Sequence, residues 1–275
     1  MNYMRILRIV TILTLFGLLI YFGIKSYNHA KLYEQTTVEI ANQCDANGLA
    51  QGKLDRLTSV ISFGFIKNET KEKLNSLKKK QNKNRILAQK NLYYFMSTLL
   101  FLIIISITCS QRASTMTLAI SSLISLIFGL INPILMVTIH KEIEYLGDVI
   151  LSLESKGILG SITKLLDNGE IAVAITILLC SVIIPLLKIL TLIFTIIFRD
   201  YRFSHNLVSF FKHIGKWSMV DVFVVATFLV YLTSNKGDVS HAEIEVGLYF
   251  FLAYVILSMI TTMKMQKVMS PISKS

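Results

Sequence analysis

Residues 171–198 read IAVAITILLCSVIIPLLKILTLIFTIIF, and this run decides the fold class. It is longer than the stretch of about 20 apolar residues that an α-helix needs to cross the hydrocarbon core of a bilayer. Three of its residues interrupt the apolar pattern: Ser181, Pro185 and Lys188. Because an unpaired charge is costly inside a membrane, an ionisable residue at this depth is a candidate functional group.

The composition of the whole chain is typical of a membrane protein. Of its 275 residues 53% are hydrophobic, and the mean hydropathy is +0.59, which is more apolar than a soluble domain of average composition. A formal net charge of +11 would suggest a nucleic-acid partner for a soluble protein. In a membrane protein the placement of Lys and Arg matters more, so we expect no nucleic acid. The three cysteines lie far apart without a C-x-x-C pair, and we expect no zinc site and no disulfide framework.

Six runs of the chain are apolar and long enough, or nearly so, to cross a membrane. They cover Ile6–Ile24, Leu92–Cys109, Met116–Ile139, Ile171–Phe198, Trp217–Leu232 and Val246–Met263. The sequence therefore predicts an all-α integral membrane protein with six transmembrane helices, the last four forming one module. The first run follows two arginines but has no small-residue cleavage site behind it, which favours an uncleaved membrane anchor over a signal peptide.

Polar stretches divide the chain into five predicted parts. These are a membrane anchor helix at 1–24, a basic and mainly helical extracytoplasmic segment at 25–91, a second membrane helix with a short cytoplasmic link at 92–114, a four-span module at 115–265 and a cytoplasmic tail at 266–275. The second part holds 13 basic and six acidic residues. Its later half is rich in residues that favour helix. Its irregular apolar positions are compatible with a packed helix or hairpin but do not predict a long coiled coil.

The basic residues in the connections indicate how the chain crosses the membrane. If the N-terminus is cytoplasmic, the inner connections contain ten Lys and Arg, and the short outer ones contain four. Basic residues are enriched on the cytoplasmic side, whereas connections of about 60 residues or more are largely exempt from this rule. We therefore predict that both termini are cytoplasmic and that 25–91 lies outside.

The outer connection His140–Glu170 repeats apolar residues at spacings of three and four on both sides of Gly157. This pattern predicts two short amphipathic helices in the membrane interface. They either cap the helix bundle or control the access of lipid, and the pattern does not distinguish these roles.

Polar residues in two consecutive spans are placed to meet. Ser181, Pro185 and Lys188 share one face of the fourth predicted helix, and Ser218 and Asp221 share one face of the fifth. A flexible lysine stem can extend several ångströms, so an ion pair between Lys188 and Asp221 is geometrically possible. Pro185 should break the helix and free a backbone carbonyl one turn earlier. The pair could also be purely structural.

The remaining polar residues give weaker evidence of a functional site. Pro133 predicts a helix break in the third span, to which we assign no function. Ser258 in the last span could bond its own helix backbone. No nucleophile, acid–base pair or metal-ligand set occurs at catalytic spacing, so we expect neither an enzyme nor a bound cofactor or metal.

Two strings resemble the paraquat-inducible protein A (PqiA) family of bacterial inner-membrane proteins: CSVIIPLLKIL at 180–190 and GKWSMVDVFVVA at 215–226. The resemblance covers about Thr115–Met265, which corresponds to one four-span module of that family. Family members commonly carry two such modules and cytoplasmic four-cysteine zinc ribbons. This chain resembles one module, has no ribbon, and adds an N-terminal anchor and a basic segment.

The resemblance implies a location in the bacterial inner membrane and a role in lipid transport between envelope membranes. It implies phospholipid as cargo, a periplasmic MCE-domain protein as partner and, with one module instead of two, a possible homodimer. It maps the family's polar network onto Ser181, Lys188, Ser218, Asp221 and Ser258, where proton movement would accompany the opening of a lipid pocket.

The sequence contains no nucleotide-binding P-loop, so energy would come from a proton gradient or another subunit. The alternative function is that of a non-transporting scaffold. In that role the chain would anchor an MCE protein or another envelope partner through 25–91.

Overall fold

The computed structural model describes residues 2–54, 65–143, 147–197 and 240–269. In chain order they form α1 (Asn2–Leu54), α2 (Phe65–Ile107), α3 (Gln111–Ile131), β1 (Leu135–Ile143), β2 (Gly147–Lys156), α4 (Ile158–Asp167), α5 (Ile171–Leu178), α6 (Ile184–Ile197), β3 (Ser240–Ile244) and α7 (Val246–Met269). A π-helical turn, Leu179–Ile183, joins α5 to α6, so the two form one continuous helix.

Five of the described helices are long and apolar enough to cross a membrane: α1, α2, α3, α5–α6 and α7. This confirms the helical membrane-protein class that hydropathy predicted. The sixth predicted span, Trp217–Leu232, lies outside the described residues.

The third span is shorter than predicted. Ser110 caps the start of α3, where its Oγ accepts a hydrogen bond from the Ala113 N–H at 3.4 Å, as serine commonly does before a helix. The helix ends at Ile131, because the residue before Pro133 is driven out of the helical conformation. The prediction that this span reaches Ile139 is therefore wrong, and the residues that follow form β1.

Three antiparallel strands form a sheet in the order β2-β1-β3 at the end of the bundle where α3 ends and α7 begins. β1 and β2 make a hairpin with a register shift between Ile139 and His140. Of the two amphipathic helices predicted in this connection, the first is wrong, because its residues form strands, and the second is confirmed as α4. A short apolar run fits either element, and local spacing does not reveal a distant strand partner.

Helices α3 and α7 run antiparallel at the centre of the bundle. Their neighbouring ends are joined by hydrogen bonds from the Glu245 N–H to the Ile134 carbonyl and from the Gly247 N–H to the Pro133 carbonyl, both at 2.9 Å. In α3 and α7, 61% and 67% of the apolar window is buried, against 11% in α1 and 28% in α5–α6. The outer helices therefore expose apolar side chains over most of their length, as contact with lipid tails requires.

Two apolar cores hold these helices together. The first joins α1, α2, α3 and α7 around three rings, with the centroids of Phe95 and Phe250 4.7 Å apart and those of Phe95 and Phe128 6.0 Å apart, both edge to face. The second attaches α6 to α3 and α7; its buried members are Leu126, Leu130, Ile189, Phe251, Tyr254 and Val255.

Helices α1 and α2 form a long antiparallel pair. Buried positions in α1 recur at alternating spacings of four and three: Leu19, Gly23, Ser26, Ala30, Tyr33, Thr37 and Ile40. This is the heptad spacing of a coiled coil, and it continues beyond the apolar part of the helix. Hydropathy does not predict this geometry, because most of the facing positions are small or polar rather than large and apolar.

The register of the pair predicts which engineered cysteines crosslink. Ser26 Oγ donates a hydrogen bond to the Ala88 carbonyl at 3.1 Å, so Ser26→Cys with Ala88→Cys should form a disulfide in a background without the native cysteines. Ser26→Cys with Gln81→Cys is the mismatched control, because Gln81 Nε2 instead donates to Thr37 Oγ1 at 2.9 Å. Mobility on a non-reducing gel measures the result, and equal crosslinking of both pairs would contradict the register.

Along α1, the distance between Arg8 and Tyr27 fits the hydrocarbon core of a membrane. The 19 residues between them cover about 28 Å, close to the thickness of the hydrocarbon core. Lys25 Nζ lies 4.8 Å from the ring centroid of Tyr21, and Lys31 Nζ lies 5.9 Å from that of Tyr27. Tyrosines with basic neighbours are typical of the membrane–water interface.

Beyond this boundary both helices continue. Residues 28–54 of α1 and 65–90 of α2 extend about 40 Å at 1.5 Å per residue, and we name them the projecting hairpin. Tyr27, Lys31 and Glu34 of α1 line one pocket together with Pro133, which precedes β1, and Gly157, which follows β2. The sheet and the projecting hairpin therefore lie on the same side of the bundle.

Candidate intramembrane polar site

The helix α5–α6 departs from α-helical geometry just before its proline. Pro185 has no N–H with which to bond the Ser181 carbonyl, and its ring crowds that carbonyl. The preceding residues adopt the π-helical turn, in which the Ile184 N–H bonds the Leu179 carbonyl five residues earlier. Such single π turns within α-helices are frequent at functional sites.

Ser181 and Lys188 lie on the same buried face of this helix, with Pro185 between them. Lys188 is 5% exposed. It is nine residues from Ile197 and 17 from Ile171, or about 14 Å and 26 Å along the axis, so its Cα lies at the depth of the hydrocarbon core from either side. A charged amine there costs roughly 3 kcal/mol on insertion scales unless another group pairs with it.

Two members of the predicted network, Ser218 and Asp221, lie outside the described residues. The ion pair between Lys188 and Asp221 therefore stays a prediction. The network's remaining member, Ser258 of α7, is 1% exposed, and its Oγ has no hydrogen-bond partner among the described residues.

Helix α3 contributes two hydroxyl groups that the sequence analysis did not single out. Ser122 Oγ and Ser125 Oγ are buried and, within the described part of the chain, make no hydrogen bond. Two contacts align α3 with α7: Ser114 with Lys264 at one end of the pair, and Gly129 with Phe251 at the other. Counting residues along both helices between these contacts shows that Ser122 lies at the same depth as residues 256–258. The hydroxyls of α3 and α7 thus lie at a common depth near the middle of the bundle.

Close packing brings together the two helices that carry these hydroxyls. A Cβ atom at Gly129 would lie 2.8 Å from the Phe251 backbone nitrogen, so the two backbones approach each other as only glycine allows. Ser121, Ser125 and Gly129 follow one another at intervals of four, the small-x-x-x-small pattern of closely packed membrane helices. That spacing was the available signal for Ser125.

A second polar cluster joins three helices near the other end of the bundle. Lys264 Nζ of α7 donates to Ser114 Oγ of α3 at 2.6 Å, and Ser106 Oγ of α2 lies 2.8 Å from the same oxygen. Ser106 and Ser114 are buried. Lys264 was counted among the cytoplasmic charges; in the structure it is partly buried, and its amine is hydrogen-bonded to Ser114 of this serine pair.

No three His, Cys, Asp or Glu side chains in the described ranges are grouped so that they could hold a metal ion. The described residues of the site offer the amine of Lys188, the hydroxyl groups of Ser181 and Ser258, and backbone carbonyls near the π turn.

Comparison with known proteins supports the resemblance. A family model described as "Paraquat-inducible protein A" matches residues 112–269, more than half of the chain. A protein of Haemophilus influenzae described as "Probable intermembrane transport protein" is 22% identical over 117 residues, which are 40% of this chain and 28% of that relative. The chain thus spans little more than a quarter of the relative's length. No solved structure matches it.

The matched residues run from α3 to α7 and include every predicted member of the polar site, whereas α1 and α2 precede them. The five apolar helices and the match together make the chain a multi-pass membrane protein. It belongs to the paraquat-inducible protein A family.

Proposed function

We propose that this protein is the inner-membrane component of a lipid transport system of the bacterial envelope. In this role it loads or extracts a phospholipid and exchanges it with a periplasmic MCE-domain protein. The matched family and the printed description of the Haemophilus influenzae relative, an intermembrane transport protein, support the transport role. The observation that carries the proposal is the buried Lys188 one turn after the π-helical break.

The proposed mechanism uses a charge switch in this region. Lys188 pairs with the carboxylate of Asp221 in one state, because a buried ion needs a partner. When the carboxylate accepts a proton, the pair loses its attraction, and the helix can rearrange at the π turn, where its hydrogen bonding is already irregular. This movement opens a path for lipid along the hydroxyl groups of Ser181 and Ser258. The proton gradient then supplies the energy.

The proposed orientation has both termini in the cytoplasm and the projecting hairpin in the periplasm. The excess of basic residues in the inner connections supports it. In this orientation the sheet and the projecting hairpin face the side on which an MCE protein would dock. A homodimer would supply the second four-span module that family members commonly carry.

The length of the projecting hairpin supports a second candidate function. A paired helix arm of about 40 Å suits a scaffold that anchors an envelope partner without moving lipid. The two functions differ in what they require of the intramembrane site, since a scaffold needs no lipid beside Ser181.

Photocrosslinking tests the transport function. A photoreactive residue at Val182, which is partly buried beside Ser181, should capture a restricted class of phospholipid in cells, and Lys188→Met should reduce the yield. The same photoreactive residue at Leu13, which is 68% exposed on α1, is the control, because it should capture surrounding lipid whether or not Lys188 is present. Absence of a lipid adduct at Val182, or adducts that mirror the control, would argue for the scaffold.

A further inference from the structure

We propose that a pocket between α1, α3 and α4 binds the headgroup of a zwitterionic phospholipid of the ethanolamine type. The pocket has a volume of about 160 Å³, and Tyr27, Lys31 and Glu34 of α1 form its polar wall. These three residues lie outside the family-matched region. The pocket is separate from the polar site on α5–α6, and lipid binding there does not depend on the transport function proposed above.

The pocket lies at the depth of the lipid headgroups. Measured along α1 from Arg8, Tyr27 is about 28 Å away and Glu34 about 39 Å away. The hydrocarbon core accounts for about 30 Å of a bilayer and the two headgroup regions together bring it to 40–45 Å, so each headgroup region is about 5–7 Å thick. Tyr27 and Lys31 therefore lie at the layer that contains the phosphate and amine groups of phospholipids, and Glu34 lies at its outer edge.

The opposite wall is apolar and open. Ile131 at the end of α3 and Leu159 of α4 line the pocket and are 42% and 43% exposed, so they can contact the upper part of an acyl chain. Gly160 also lines it, and no atom lies within 4 Å of the position of a Cβ there. The volume is smaller than the roughly 300–1,000 Å³ of pockets for drug-sized ligands. It fits a headgroup rather than whole acyl chains.

The charges of the polar wall select the headgroup. Positions 27, 31 and 34 share one helix face, and Lys31 and Glu34 line the same cavity, so both charges are within reach of one bound headgroup. The amine can bind a phosphate, and the carboxylate can accept hydrogen bonds from a primary ammonium. A headgroup that is only anionic meets the repulsion of Glu34. A choline headgroup has no N–H to donate to it. An ethanolamine headgroup satisfies both charges.

The test measures lipid affinity of the full chain in detergent micelles by native mass spectrometry. The probes are phosphatidylethanolamine, phosphatidylglycerol with the same acyl chains, and the soluble headgroup glycerophosphoethanolamine. We expect phosphatidylethanolamine to bind about fivefold tighter than phosphatidylglycerol, the size of one partly exposed charge contact. Equal affinity for the two lipids would overturn the proposal, and so would soluble headgroup binding as tight as that of the lipid.

Variants of the polar wall test the contributions of Lys31 and Glu34 separately. Lys31→Gln should weaken both lipids about threefold to fivefold, and Glu34→Gln should abolish the preference for ethanolamine. Lys25→Gln is the matched control for the first, since Lys25 also lies beside a tyrosine ring but does not line the pocket. Glu39→Gln is the control for the second. If Lys31→Gln and Glu34→Gln bound the two lipids as their control variants do, the proposal would be wrong.

A third variant fills the cavity. Gly160→Leu should remove the ethanolamine preference without unfolding the protein, because its side chain enters open space. Gly17→Leu, where the Cβ position is equally open, should leave the preference intact. Lys188→Met should also keep it. If Gly160→Leu kept the preference and Lys188→Met lost it, the lipid would bind at the intramembrane site and the proposal would be wrong.

Discussion

Replacing Lys188 by methionine should reduce lipid transfer to the level of cells that lack the chain. The substitution removes the buried amine but keeps a long apolar side chain in its place. If Asp221 pairs with Lys188, the single substitution leaves the carboxylate without its cation and should cost about 3 kcal/mol of stability. The double variant Lys188→Met with Asp221→Asn should recover that stability, because neutral groups replace the ion pair, and it should still fail to transfer lipid.

Two measurements test this prediction. Transfer of a labelled phospholipid from membranes to the proposed MCE-domain partner measures the loss of function, and thermal unfolding in detergent measures the loss of stability. Lys264→Met is the matched control: it removes another partly buried lysine of the bundle, one whose hydrogen bond to Ser114 joins helices, and it should lower stability without stopping transfer. Normal transfer by the double variant would disprove the charge switch and favour the scaffold function.

Replacing Gly129 by leucine should prevent α3 and α7 from packing together and so prevent the protein from folding. Even a Cβ at this position would lie 2.8 Å from the backbone nitrogen of Phe251 and 3.0 Å from its Cα. These backbone atoms can move only if α3 and α7 separate. Overpacking of this kind typically costs about 1–3 kcal/mol for small additions, so we expect Gly129→Ala to lose that amount and Gly129→Leu to lose more.

Gly17→Leu is the control for this prediction, because the same change is made in a membrane helix where nothing lies within 4 Å of the Cβ position. It should alter stability by no more than about 0.5 kcal/mol. The yield of monodisperse protein and its unfolding temperature in detergent measure the difference. Equal behaviour of Gly129→Leu and Gly17→Leu would show that α3 and α7 are not closely packed.

Local sequence patterns predicted the membrane helices well, because the requirement for a long apolar stretch acts on each helix separately. Residues 171–197 form one long helix, as its composition indicates. The same reasoning extended the third span to Ile139, although the helix ends at Ile131. The apolar residues after Pro133 suit a strand as well as a helix, and only their pairing with β2 and β3 decides between the two.

The pairing of α1 with α2 was not predicted, because its contact positions include Gly23, Ser26, Ala30 and Thr37. Hydropathy does not mark such residues as interior. Two helices can nevertheless approach closely where side chains are small. In the structure, the buried positions of α1 then show the alternating spacing of four and three residues.

The residues of the candidate site were likewise predicted only in part. Ser181, Pro185 and Lys188 were predicted from one helix, since an ionisable residue within an apolar run is conspicuous by itself. Ser122 and Ser125 were missed, because a membrane serine often bonds its own helix. The burial of these hydroxyls without a partner among the described residues depends on how α7 packs against α3.

The sequence by itself thus determined the membrane class, the family and the position of Lys188 within an apolar span, because each depends on residues that are adjacent or one helix turn apart. Only the tertiary structure decided the π turn before Pro185, the three-stranded sheet, the projecting hairpin and the headgroup-sized pocket. These features depend on contacts between residues that are distant in the chain, or on how the backbone adjusts around a missing N–H. Neither is encoded in local hydropathy.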